Sequence, residues 1–99
     1  MSVIYGDLST CLLLNGNIDE AVEYGQRSME VDPGYARGRQ RLIAALAASG
    51  DQKAAAAELE VLRTSMPGFD LSYVTRTYPF HFQEHLKTFS NFFRSAGVR

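Results

Sequence analysis

The sequence contains no tryptophan, a single cysteine and only three prolines among 99 residues. One cysteine, Cys11, excludes an intramolecular disulfide, so the fold must rest on its apolar core. With no secretory leader recognisable, that cysteine usage points to a reducing, cytoplasmic setting. No apolar run approaches the roughly 18 residues needed to cross a bilayer, so no membrane partner is expected. Charge of one sign is lacking too. Ten bases against eleven acids leave a net charge of −1, which gives no electrostatic reason to expect nucleic acid. The stretch "DPGYARGRQR" has neither P-loop nor dinucleotide-binding spacing, so no cofactor is expected.

What remains is 45% apolar and 21% charged, ordinary for one globular domain over residues 1–99 or a piece of a longer protein. The charge is unevenly placed. Residues 1–35 carry six acids and one base, whereas residues 36–99 carry five acids and nine bases. Opposite charge toward opposite ends favours head-to-tail contacts between copies. Cys11 stands among Leu8, Leu12 and Leu13 and reads as a small buried hydrophobe, since both histidines lie far away in sequence.

A shift of 34 residues aligns Leu8 with Leu42, Leu12 with Leu46, Gly16 with Gly50, Ala21 with Ala55, Pro33 with Pro67 and Gly34 with Gly68. Tyr35 meets Phe69, preserving an aromatic. Each aligned residue has a task in a helical hairpin. Tyr5, Leu8 and Leu12 draw one apolar stripe along a first helix. Gly16 can close that helix in the left-handed conformation, and Asn17 can cap the next, with Glu20 completing a capping box. Ala21 is small where two helices must approach. Pro33 lacks an amide hydrogen and ends the second helix. The second copy repeats the plan with Leu42, Leu46, Gly50, Asp51, Ala55, Leu62 and Pro67-Gly68.

These residues resemble the tetratricopeptide repeat family, whose 34-residue unit is a helix–turn–helix. The resemblance covers residues 2–35 and 36–69 as two consecutive units. It implies an all-α, right-handed solenoid of two hairpins, followed by capping helices over residues 70–99. The chain departs from the family at Arg39, where an aromatic is usual, and at Ile43, where a small residue is usual. Ile43 is expected to force the paired helices apart or to repack them. Gly25 replaces a large residue and is expected to remove packing. The exposed stem of Arg39 can cover apolar surface.

After Pro67 the composition changes. All six phenylalanines fall between residues 69 and 93. "DLSYVTRTYPF" predicts a short helix capped by Asp70, and Pro79 suits the first turn of a longer helix ending near Gly97. Phe82, Leu86, Phe89 and Phe93 make one stripe, flanked by Phe80 and Phe92. The expected role is to cap the open end of the solenoid, ahead of an aromatic groove or dimer face. The tail also resembles the segment after such repeats in bacterial multidomain regulators such as class III nucleotide cyclases. That likeness rests on Pro67-Gly68-Phe69, Pro79-Phe80 and Ala96-Gly97-Val98, and no catalytic residue of a cyclase falls here.

"HFQEH" formally matches the inverted zinc-protease signature, with His81 and His85 one helical turn apart. The residues after it contain no Asp, Glu, His or Cys to act as a third ligand. Solvated histidines are therefore expected, with neither metal nor catalysis.

By resemblance, the first helix of each unit lines a concave, peptide-holding groove. This chain would contribute Val3, Asp7, Thr10, Leu13 and Leu14 from the first unit. The second would add Arg37, Gln40, Arg41, Ala44 and Ala48. Arg37 and Arg41 stand where related repeats capture a C-terminal carboxylate, but Gly6, Thr10 and Asp7 replace the rest of that clamp. The expected function is a non-catalytic protein–protein interaction scaffold whose partner is a protein or peptide. It would bind through that groove or through an apolar edge of the first hairpin containing Val3, Ile4 or Leu12. Upstream repeats of a longer protein or a homodimer would cover that edge, and the alternative is self-assembly with another copy as the main partner. A helical-repeat nucleic-acid binder and a zinc enzyme stand further behind.

Overall fold

The computed structural model describes residues 2–78, 80 and 83–99, and among them the chain forms six helices and no strand. They are α1 (Ser2–Leu14), α2 (Ile18–Val31), α3 (Ala36–Ala48), α4 (Gln52–Ser65), α5 (Leu71–Thr77) and α6 (Gln83–Ser95). The all-α class and the hairpin repeat are as the 34-residue spacing predicts. The expected Pro79, and the stripe member Phe82, lie outside the described residues.

Two glycines make the hairpins. Gly16 and Gly50 have φ of 86° and 88°, a region where a Cβ is strained. At each, the amide three residues beyond the helix returns to the third carbonyl from its end: Asn17 N–H to Leu12 O at 2.8 Å, and Asp51 N–H to Leu46 O at 3.1 Å. The two turns differ at the next cap. The Asp51 side chain accepts from Ala54 N–H at 3.1 Å. Asn17 makes no side-chain cap bond, contrary to the expected capping box.

α3 is the central element, packed by α1, α2, α4 and α6. Leu42, Ile43, Ala44, Ala45, Leu46 and Ala47 are all buried, because a run of small side chains lets helices approach from several sides. Ile43 is wholly buried within this run, and α3 still pairs with α4. Gly25 corrects its expectation. A Cβ there would lie 3.2 Å from the Cα of Leu42, so the glycine admits α3 rather than leaving a gap. Arg39 pairs with Glu58 and donates to Pro33 O at 3.1 Å, joining α3 to α4 and the preceding turn.

α1 departs most from its expected pattern. Its buried side is Gly6, Ser9, Thr10 and Leu13, not the Tyr5–Leu8–Leu12 stripe. The Ser9 hydroxyl is buried because it donates to Ala21 O at 2.6 Å, which satisfies it inside the hairpin. Leu8 is exposed, and Tyr5 and Leu12 are half-buried. Cys11 is exposed as well, which overturns its reading as a buried hydrophobe.

The tail folds back. Asp70 caps α5 by accepting from Tyr73 N–H at 2.7 Å, and Leu71 N–H donates to Arg99 O at 3.0 Å. α6 packs against α3 and α5 and reaches α1. Phe89 and Phe93 are fully buried and meet edge to face at 5.0 Å. Gly97, with φ of 100°, ends α6 as Gly16 ends α1, and Val98 N–H reaches Phe93 O at 3.0 Å.

Candidate functional site

The residues expected to line the groove divide into two groups, because α6 and its approach lie on the side of α3 where they stand. Arg37, Gln40 and Ala44 belong to the first group and are engaged or enclosed within the chain. Arg37 donates to the Thr77 hydroxyl at 3.2 Å and to Thr77 O at 3.1 Å. Its guanidinium also lies 4.0 Å over the Tyr78 ring. Gln40 is 1% exposed, accepts from the Tyr78 hydroxyl at 2.7 Å and donates to Met66 Sδ at 3.4 Å. Ala44 is fully buried, and Ala48 at the far end of α3 is half-buried.

Tyr78 is the centre of this engagement. Burial pushes its hydroxyl up to about 12, partly offset by the nearby Arg37 and Arg41 guanidinium groups. Its ring stacks at 6.0 Å on Phe80 and lies 4.7 Å from Phe89. A neutral, buried phenol donating to a buried amide therefore locks the tail to α3.

The second group borders a cavity. Asp7, Thr10 and Leu14 of α1 and Arg41 of α3 line a cavity of about 510 Å³. Cys11, Asn15, Tyr78, Phe80 and His85 complete its wall. Thr10 is itself buried and donates to Gly6 O at 3.3 Å. Arg41 pairs with the exposed Asp7, while its Nε is buried without a partner. Of the remaining groove candidates, Val3 is exposed on α1 and Leu13 is buried in the core.

Reading residues had missed five members of this wall. Cys11 and Asn15 were legible, since they follow Asp7 at successive four-residue steps on the same helix face. Tyr78, Phe80 and His85 were not, because only the return of the tail brings them to α1. The pairing of His85 with His81 lies outside the described residues. Among the described residues no group of three or more His, Cys, Asp or Glu could hold a metal ion. No helix among them is long and apolar enough to cross a membrane.

A family model described as tetratricopeptide repeat matches residues 4–74. No curated protein and no solved structure matches the chain.

Proposed function

The chain belongs to the tetratricopeptide repeat family, and from that premise we propose that it is a non-catalytic module holding a peptide segment of a protein partner. The cavity between α1 and the returning tail carries this reading. Its size, about 510 Å³, is in the range that accepts a drug-sized group. Leu14, Phe80 and the Tyr78 ring give it apolar walls, and the Asp7–Arg41 pair stands at one side. The occupant that fits is a bulky aliphatic or aromatic side chain. A basic neighbour on the peptide suits the acidic first hairpin, where six acids face one base in residues 1–35. Carboxylate capture is less favoured, because Arg37 and Arg41 already hold Thr77 and Asp7. A cytoplasmic location is part of the same proposal and rests on the single, unpaired cysteine.

Selection from a random peptide library, followed by titration of the enriched peptides, tests the reading. Leu14→Asp is expected to weaken the enriched peptides about tenfold or more with helicity unchanged. Enriched peptides that bind Leu14→Asp as well as the natural chain would place the peptide site elsewhere.

A second reading, self-association, is favoured by one observation. Val3, Ile4 and Leu8 of α1 are exposed, at 52%, 58% and 38%.

A further inference from the structure

A second cavity, of about 410 Å³, is lined by α5 and α6 and shares no residue with the one beside α1. Thr75 of α5 forms one side, and α6 supplies Leu86, Lys87, Ser90, Asn91 and Arg94. Helical spacing brings the polar ones together. Ser90 and Asn91 stand three and four residues after Lys87, and Arg94 stands four and three after them. All four therefore share one face of α6, with a cation on either side of a hydroxyl and an amide. The two cations are about 10 Å apart along the helix axis, a gap that two long side chains close over an anion held between them.

The charges of this face are uncommitted. Arg27, Arg37, Arg39, Arg41 and Arg76 each donate to a side chain elsewhere in the chain, whereas Lys87 and Arg94 donate to none among the described residues. Arg94, in the last turn of α6, also complements the helix dipole, but Lys87 lies too far from that end to do so. No acid among the described residues lines the cavity, and Glu84 is the only acid on either helix. The Ser90 hydroxyl is buried without a partner, in a residue only 8% exposed. On the same two helices the hydroxyls of Thr75, Thr77 and Ser95 each donate to a carbonyl three or four residues back. A buried hydroxyl without a bond is costly, and one rotamer step about Cα–Cβ turns it to the cavity that its residue lines.

We propose that this cavity binds a phosphate monoester, with Lys87 and Arg94 neutralising the dianion and Ser90 and Asn91 donating to its oxygens. Two cations match a group that carries nearly two negative charges at neutral pH, where a carboxylate brings one. Arg94 offers a planar fork suited to phosphate oxygens, and Lys87 a compact point charge. The volume is that of a small-molecule site rather than of a bare phosphate, and Leu86 gives the organic body of the ester an apolar wall. The inference stands apart from the peptide reading, because the two cavities have no residue in common.

Titration of the full chain with phenyl phosphate, followed by backbone amide shifts in nuclear magnetic resonance, tests it. Benzoate is the singly charged control. A short peptide with phosphoserine between alanines separates a modified protein from a small ester as the source. Saturable shifts are expected at Thr75 and along residues 86–94, at lower concentration for phenyl phosphate than for benzoate. Lys87→Gln should weaken phenyl phosphate about tenfold, and Lys53→Gln on α4 should leave it unchanged. Ser90→Ala should weaken it about threefold while the free chain melts no lower, since the hydroxyl bonds nothing there. Tighter binding of the phosphopeptide than of phenyl phosphate assigns the site to a phosphorylated partner, and the reverse order to a small ester. Shifts that do not saturate, benzoate binding as well as phenyl phosphate, or equal responses to Lys87→Gln and Lys53→Gln each overturn the inference.

Discussion

The two hairpins carry the same plan and meet different fates. Leu42 and Leu46 of the second are 4% and 6% exposed, while the aligned Leu8 is 38% exposed and Leu12 half-buried. The residues are identical and the helices are the same length, 13 residues each. Only the neighbours differ, since α3 lies against both helices of the hairpin before it and α1 has no such cover. A leucine in a repeat is thus a core residue by courtesy of the adjacent unit. The second hairpin also carries the tail, so α3 is buried by elements on both sides.

That contrast is most sharply broken at the tail. Phe89→Ala removes a fully buried ring that touches Tyr78, Phe80 and Phe93, and should cost about 3–5 kcal/mol in urea unfolding. An equal loss at Leu8→Ala would mean that the first hairpin is as dependent on its stripe as the tail on its rings, contrary to the observed exposure.

The aligned pair Gly25 and Leu59 gives the next largest effect. Leu59→Ala empties a buried site and should cost about 2–5 kcal/mol. Gly25→Ala overfills its own, because the new Cβ meets Leu42 at 3.1–3.3 Å, and should cost about 1–3 kcal/mol despite alanine's better helix propensity. A stabilised Gly25→Ala, by thermal melting, would show that α2 and α3 can separate freely.

Alkaline titration probes the lock between tail and second hairpin. The Tyr78 hydroxyl is raised from 10.0 to about 12, so the folded state holds a proton that the unfolded chain releases. Its contribution is complete below about pH 10 and is lost as pH climbs toward about 12, by roughly 2–3 kcal/mol. Tyr78→Phe should flatten that decline. An unchanged decline assigns it to other groups.

The smallest effect separates the two turns. Asp51→Ala should cost about 1 kcal/mol, and Asn17→Ala close to nothing, because only Asp51 caps its helix with a side-chain bond. Equal costs in denaturant midpoints would mean that Asn17 caps in solution.

The repeat, its hairpin turns and the family were legible because they depend on local chemistry. Gly16, Gly50 and Asp70 act within a few residues of themselves, and backbone conformation is specified at that range. The groove candidates were legible only in part. Asp7, Thr10, Leu14 and Arg41 do line a cavity, whereas Arg37 and Gln40 are bound to Thr77 and Tyr78. Ser9 was not singled out, and Thr10 stood only as a groove candidate. In the structure each hydroxyl donates to a carbonyl inside the fold.

The sequence alone therefore determined the helical repeat, its glycine turns and the caps at Asp51 and Asp70. Tertiary structure alone decided which faces are buried. An apolar stripe states only that a face needs cover, since burial is a property of two surfaces and not of one. On α3 that cover is the first hairpin, with the tail on the groove side, and the tail also shapes the cavity beside α1. On α1 the aligned Leu8 stays exposed, since the described helices that pack against α1 cover its other sides.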